Sequence, residues 1–411
     1  MNKVIFVVPF LPYPLISGGH QAIFNGLVAA AEAGAEIHLT YPDLDDDEEA
    51  RKELSRKMGG KIHIHPFPMH INRKGDKILN FIYRFKFSVK KLIKGEAGAR
   101  PITSPYRQWL DQMMPKSDAY CQFINALVEQ NAIDIVQCEM LETLAFALTL
   151  PKGVKKYFVH HELGFVRKGQ HPFITEEPLA GPAHLAINQL IEINLLNQFD
   201  TVVTLSEVDS QKLRDTGVST RIHSSFATVN HLPNTDLETT DSTILSFVGP
   251  EWHPSNKSGI LWFLESCWED LLSTNPDYQL QIIGRWTEET QREICSKYRN
   301  ILFPGYVDDL AATIKNTIMI VPITIGSGIR MKILEAGMIG VPIVTTSVGV
   351  EGIPLVNGEN CFIGDTPEVF VQGILSLSDQ TLREQFIRSA QHIIEANYSQ
   401  HALNENRKVL Y

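Results

Sequence analysis

Residues 325–346, IGSGIRMKILEAGMIGVPIVTT, join a glycine-rich turn, a helical pattern and an apolar strand in one passage. The run before them, TIMIVPIT (317–324), reads as a strand, and Gly326, Ser327 and Gly328 form the turn that leaves its end. Met331, Leu334 and Met338 then recur at helical spacing as a buried stripe, which leaves Arg330 and Lys332 near the first turn. Free backbone N–H groups and the positive dipole end at a helix start favour an anion, and two adjacent cations strengthen the site. A phosphate suits it. Glu335, about two turns in, is placed to accept hydroxyl hydrogen bonds as ribose-binding acids do. Phosphate with ribose points to a nucleotide. An ordinary solvated helix after a glycine turn is the plainer reading of the same residues.

Working outward, strand-like and helical patterns alternate through most of the chain, the mark of parallel sheets with crossover helices. KVIFVVPF (3–10), SGGHQAIFNGLVAAAEAG (17–34) and EIHLTYP (36–42) read as strand, helix and strand. Ile23, Leu27 and Ala30 give the helix its buried stripe, and Gly34 stands where a C-terminal capping glycine belongs. IDIVQCEM (133–140), KKYFVHHE (155–162) and DTVVTLSE (200–207) follow as short strands with polar tips, whose carboxyl ends should line one crevice. The polar segment 228–244, with Pro233, reads as a linker and hinge. Beyond it ILSFVGP (244–250), a helix over 258–272, YQLQIIGRW (278–286), NILFPGYV (300–307), the opening passage and PIVTTSVG (342–349) repeat the alternation. The fold class expected is α/β, two doubly wound parallel-sheet domains facing a cleft. The expected divisions are 1–235, 242–385 and a C-terminal helical segment, 386–411, packing back toward the first domain.

The totals agree with this reading. A chain of 411 residues is too long for one ordinary core, and 44% hydrophobic with 20% charged residues is a globular composition. Five scattered cysteines with no C-x-x-C pair support neither a disulfide framework nor a zinc ribbon, and they fit a cytoplasmic protein. The first apolar run breaks at Pro9, too short for a membrane span. A net charge of −10 argues against a nucleic-acid partner.

The passage GYVDDLAATIKNTIMIVPITIGSGIRMKILEAGMIGVPIVTTSVGVEGIPLVNGENCFIGD (305–365) resembles the donor-binding half of the family 4 glycosyltransferases, retaining enzymes of the GT-B fold. The resemblance is specific over 247–365 and looser before that. It implies a nucleotide-sugar donor, UDP- or GDP-linked, no metal and no other cofactor. The acceptor implied is a hydroxyl on a glycan or a lipid-linked saccharide, in the synthesis of a cell-surface polysaccharide or glycoconjugate. The family's ribose-binding glutamate falls on Glu335. Its first glutamate, eight positions earlier, falls on Ser327, so a serine hydroxyl and the turn amides at Gly326 and Gly328 would face the donor sugar. An Arg and a Lys that grip the diphosphate in the family are matched, after Gly249, only by Asn256 and Lys257, so Arg330 or Lys332 would supply the missing charge. Gly284, Tyr306 and Val307 fall where the family holds the base. In the first domain, Gly18 and Gly19 match the family's glycine loop, which lets the backbone approach the donor diphosphate and the acceptor, with His20 on the acceptor side. His161 matches a histidine that reaches the donor sugar, and Glu162 is either a carboxylate under the sugar or the group that holds His161.

Two other readings stay open: a nucleotide-sugar epimerase of the same fold, or a non-catalytic nucleotide-sugar-binding protein suggested by Ser327. DLDDDEE (43–49) reads as a solvated acidic run. KIHIH (61–65) puts His63 and His65 on one strand face, but two ligands without a third make no metal site. No G-x-G-x-x-G follows the first strand, and no G-x-S-x-G occurs. Residues 73–100 hold nine Lys or Arg against two acids. Within them Ile78, Ile82, Phe85, Val89 and Leu92 face away from Lys77, Arg84, Lys90, Lys91 and Lys94. Residues 73–94 thus read as a basic amphipathic helix, either packed on the core or lying on the inner face of the plasma membrane.

Overall fold

A computed structural model describes residues 1–44, 47–69, 105–114, 117–170, 174, 176–229 and 243–411. The basic segment 73–94, most of the 228–244 linker and part of the acidic run 43–49 lie outside the described residues.

Two parallel sheets carry the fold. The first comprises β1 (Lys3–Val7), β2 (Glu36–Asp43), β3 (Ile62–Pro68), β4 (Ile135–Glu139), β5 (Lys155–His160), β6 (Thr201–Thr204) and β7 (Arg221–Ser224). The second comprises β8 (Ile244–Val248), β9 (Gln279–Ile283), β10 (Ile301–Gly305), β11 (Ile318–Val321), β12 (Ile343–Thr345) and β13 (Phe362–Ile363). Their strand orders are β3-β2-β1-β4-β5-β6-β7 and β10-β9-β8-β11-β12-β13. Central strands of such sheets are covered on both faces, so they read as unbroken apolar runs rather than alternating ones. Val4–Val7 and Ile318–Val321 are accordingly buried residue by residue. In each sheet the winding reverses once, between β1 and β4 and between β8 and β11, and the crevice at the carboxyl ends of those strands is where open α/β sheets take ligands.

The helix Gly18–Glu32 follows β1, capped by Ser17, and ends before Gly34. The helix Met331–Ile339 follows β11 and is buried all round from Ile333 to Ile339. The expected stripe is therefore too narrow: this helix lies between the sheet and the helix Gln380–Tyr398, whose Gln391 amide donates to the Met338 carbonyl. The expected helix over 258–272 is two helices, Pro254–Ser266 and Trp268–Thr274, broken at Cys267. The Trp268 indole N–H is drawn to the Arg299 carbonyl at 3.0 Å. The earlier start matters more, because it places Asn256 and Lys257 in a first helical turn.

A division at residue 385 would fall inside Gln380–Tyr398. After that helix the chain crosses back: Gln400–Arg407 lies against Gly18–Glu32, with the Gln400 amide donating to the Asn25 carbonyl. Arg407 donates to Ser225 Oγ at 2.7 Å, and the Tyr411 hydroxyl donates to Gln137 Oε1 at 2.7 Å. Among the described residues no helix is long and apolar enough to cross a membrane.

Candidate active site

At the winding reversal of the second sheet, the starts of Pro254–Ser266 and Met331–Ile339 lie together. Asn256 joins them: its amide donates to the Pro250 carbonyl at 2.9 Å, and its Oδ1 accepts from Lys332 Nζ at 2.7 Å. Lys332 also sits over the Phe247 ring, 4.0 Å from its centroid. Burial, with the neighbouring Arg330 charge, pushes the Lys332 ammonium down to about 7. His253 is pushed down to about 4 by burial and, after that, by the charges of Lys332, Arg167 and Arg330, so its ring is neutral at pH 7.

Arg330 occupies the cap position of Met331–Ile339. Its Nη1 donates to the carbonyls of Ser327 and Gly328, while Nε and Nη2 are buried without a hydrogen-bond partner. An unsatisfied buried donor costs on the order of 1–3 kcal/mol, and the two on this guanidinium are available to an acceptor from outside the protein. An anion with paired oxygens would meet that fork.

The turn before Arg330 is clamped to the first lobe. Gly328 has φ +79, and a Cβ there would lie 2.7 Å from the His161 carbonyl oxygen, so only glycine allows this approach. The Gly326 amide donates to Gln170 Oε1, and Gln170 Nε2 returns a bond to the Gly326 carbonyl. Ser327 is buried and its hydroxyl donates to the Leu163 carbonyl at 3.3 Å. Ser327 and the Gly326 amide, expected to face a donor sugar, thus also hold the two lobes together, and the Ser327 hydroxyl, donating to Leu163, keeps its lone pairs to accept.

Gly249 and Gly284 stand just past β8 and β9. Gly284 has φ +128, and a Cβ there would lie 2.8 Å from the Gly249 carbonyl oxygen, so these strand ends meet backbone to backbone. Tyr306 is exposed beside Arg285, beyond β10, and Val307 packs on the core. Lys257 departs from its expected place. Successive helix positions point about 100° apart, so Lys257 cannot share the direction of Asn256. It pairs instead with Glu251 at 2.7 Å, in a separate groove lined by Trp252, Arg285 and Trp286.

The first lobe presents its own winding reversal to this cluster. A Cβ on Gly18 would lie 2.8 Å from Met331 Cγ, so the two helix starts abut. Gln21 Nε2 donates to Glu335 Oε1 at 2.9 Å, across the lobes, and Glu335 is 6% exposed. Beside Gly18 and Gly19, His20 stacks on Phe10 and shares a 2.7 Å hydrogen bond with Ser17 Oγ; burial holds its pKa at about 4.

At the end of β5 two histidines part company, because successive strand residues point to opposite faces. His160 is buried against Glu192 at 2.9 Å, and the two oxygens of Glu192 also accept the Gly164 and Phe165 amides. His161 turns to Glu139, Nε2 to Oε2 at 2.8 Å, and the other Glu139 oxygen accepts from Gln137. Glu162 does not hold His161; it pairs with Arg167 at 3.0 Å. Glu139, Gln21, Gln170 and His253 escaped the sequence reading. A signal existed for Glu139, since Gln137 and Glu139 are polar residues at alternate positions of a strand buried on both faces.

Two predictions arise here. Because burial pushes Lys332 down to about 7, an anion with paired oxygens, such as UDP, bound beside it should draw a proton onto it. Affinity should weaken as pH rises above 7, by at most about tenfold per unit, and Lys332→Met should flatten the dependence; calorimetry from about pH 6.5 to 8.5 checks both. Glu139→Gln keeps the shape but removes the charge that orients His161, so any activity that uses His161 should fall about 10–100-fold with little change in anion binding beside Lys332.

Residues 242–380 match the family Glycosyl transferases group 1. A 140-residue stretch is 29% identical to an uncharacterized 44.6 kDa protein of the cps region of Klebsiella pneumoniae. That stretch covers 32% of this chain and 36% of that protein. The whole fold is similar to sucrose-phosphate synthase of Thermosynechococcus elongatus, with a TM-score of 0.72 at 14% identity over 100% of this chain and 98% of that one. It is also similar to S. aureus TarM, in a complex with fondaparinux, alpha-GlcNAc-glycerol and UDP, with a TM-score of 0.68 at 13% identity over 100% and 99%. Anabaena HepE with UDP-glucose gives 0.65 at 12% identity over 100% and 99%. At these identities the likeness shows the fold, two Rossmann-like α/β domains of the GT-B type.

Proposed function

We propose that this protein, whose residues 242–380 match the group 1 glycosyl transferases, moves a sugar from a nucleotide donor to a hydroxyl of a glycan or lipid-linked saccharide. The observation that carries the reading is the guanidinium of Arg330, two of its nitrogens buried without partners, beside Lys332 and two helix starts. Departure of a nucleoside diphosphate places growing negative charge on the bridging oxygen, and preformed donors there lower the barrier. Glu335 takes the ribose hydroxyls, exchanging its bond with Gln21. Gly249, Gly284, Tyr306 and Val307 form the base-binding rim. The first lobe, with Gly18, Gly19, His20 and His161, takes the acceptor and the transferred sugar. Contact between the lobes keeps water from the donor.

UDP is the nucleotide best supported, through the similar UDP-bound folds, and the cps-region relative supports a place in surface polysaccharide synthesis in the cytoplasm. Glu162 is engaged with Arg167 and Glu139 with His161. Attack by the acceptor on the face the diphosphate leaves, with retained configuration, therefore fits better than a covalent glycosyl carboxylate.

The test is incubation with labelled UDP-glucose, UDP-N-acetylglucosamine and GDP-mannose, with and without saccharide acceptors. An acceptor-dependent product with the donor's anomeric configuration is expected. A changed donor sugar without acceptor would make the protein an epimerase, and binding without turnover would make it a binding protein.

A further inference from the structure

We propose a transition-metal site, suited to zinc, formed by Glu36, His38 and His63 on the edge of the first sheet, with His65 orienting the central imidazole. The motif KIHIH supplies two histidines from one strand face, and the fold supplies what that pair lacked. Alternation puts Glu36 and His38 on one face of β2, and His63 and His65 on one face of β3. The parallel register sets His38 beside His63 and Thr40 beside His65, so all four side chains share a face.

The ligand atoms of Glu36, His38 and His63 lie within 4.8 Å of one another. Glu36 Oε1 is 3.2 Å from His38 Nε2 and 3.8 Å from His63 Nε2. Zinc bonds of about 2.0–2.2 Å in a tetrahedron set ligand atoms roughly 3.4 Å apart, so a small swing of the exposed His63 closes the set. The remaining nitrogen of His38 is already occupied, Nδ1 to His65 Nε2 at 3.0 Å. Such a bond fixes which nitrogen is offered to a metal, as outer partners of metal-bound histidines do. His38 is buried, while His63 is 58% exposed and leaves one side open for a water ligand. Two imidazoles with one carboxylate suit zinc, whereas calcium and magnesium prefer oxygen alone.

One group competes. Lys3 Nζ lies 3.3 Å from the same Glu36 oxygen, and its partly exposed side chain is free to turn into water when a metal arrives. The cluster lies toward the amino ends of β2 and β3, whereas Glu139 and His161 stand at the carboxyl ends of β4 and β5. The metal therefore takes no part in sugar transfer; it ties the edge strand β3 to β2. The inference is independent of the proposed function.

The test uses full-length protein without a histidine tag, stripped with chelator and titrated with Co2+, then with Zn2+. One equivalent of Co2+ should bind with visible d–d absorption bands, and Zn2+ should displace it and raise the melting temperature. His63→Ala and Glu36→Gln should each weaken binding at least about tenfold, and His65→Ala about 10–100-fold with stoichiometry kept. Lys3→Met should tighten it. No saturable binding up to millimolar metal would overturn the proposal, as would binding indifferent to both His63→Ala and Glu36→Gln.

Discussion

Arg330→Met should cut the rate of sugar transfer by about 10²–10³-fold, the loss typical of one preformed donor to developing charge, while leaving the melting temperature unchanged or higher. The two halves of this expectation come from one side chain. The substitution removes the Nη1 bonds to the Ser327 and Gly328 carbonyls, which costs stability. It also removes two buried donors without partners, which returns stability, so the terms oppose. Activity has no such offset, because the leaving diphosphate loses both the charge and the fork. Arg330→Lys restores the charge without the planar pair of donors and should fall between. A variant with wild-type kcat and wild-type UDP affinity would remove Arg330 from the leaving-group site.

Glu335→Ala should weaken UDP binding by about 10²-fold or more, since each hydrogen bond to a charged group contributes about 1.5–3 kcal/mol and a ribose offers two hydroxyls. The readout specific to this role uses 2′-deoxy-UDP. The wild type should discriminate against it, and Glu335→Ala should bind both nucleotides alike. Gln21→Ala should tighten UDP binding slightly, because the 2.9 Å bond between Gln21 and Glu335 no longer has to be exchanged. Unchanged discrimination in Glu335→Ala would place the ribose elsewhere.

The fold was legible because its signals are local. Buried parallel strands announce themselves as apolar runs, and Ser17 and Gly34 bracket a helix whose stripe is plain. Gly326, Gly328, Arg330 and Lys332 could be read together for the same reason, since they lie within one turn and one helix start. What lay beyond reach were partnerships between distant segments. Lys257 is a shorter-range case: its partner Glu251 lies six positions away, but the pairing could be read only once the helix start at Pro254 was placed. Nothing around Ser327 in sequence shows that its hydroxyl donates to the carbonyl of Leu163, 164 positions away. The holder of His161 was sought in the next residue, but adjacent side chains at a strand end diverge, and the neighbouring strand supplies Glu139. The three-ligand cluster was invisible in KIHIH because its other half belongs to β2.

The central claim is that the two winding reversals face each other across a nucleoside diphosphate site. Isothermal titration of UDP into wild-type protein and into Arg330→Met at pH 7 tests it most directly. One saturable site is expected in the wild type, with a proton taken up by Lys332, and at least about tenfold weaker binding in the variant. No heat of binding in the wild type, or equal affinity in both proteins, would contradict it.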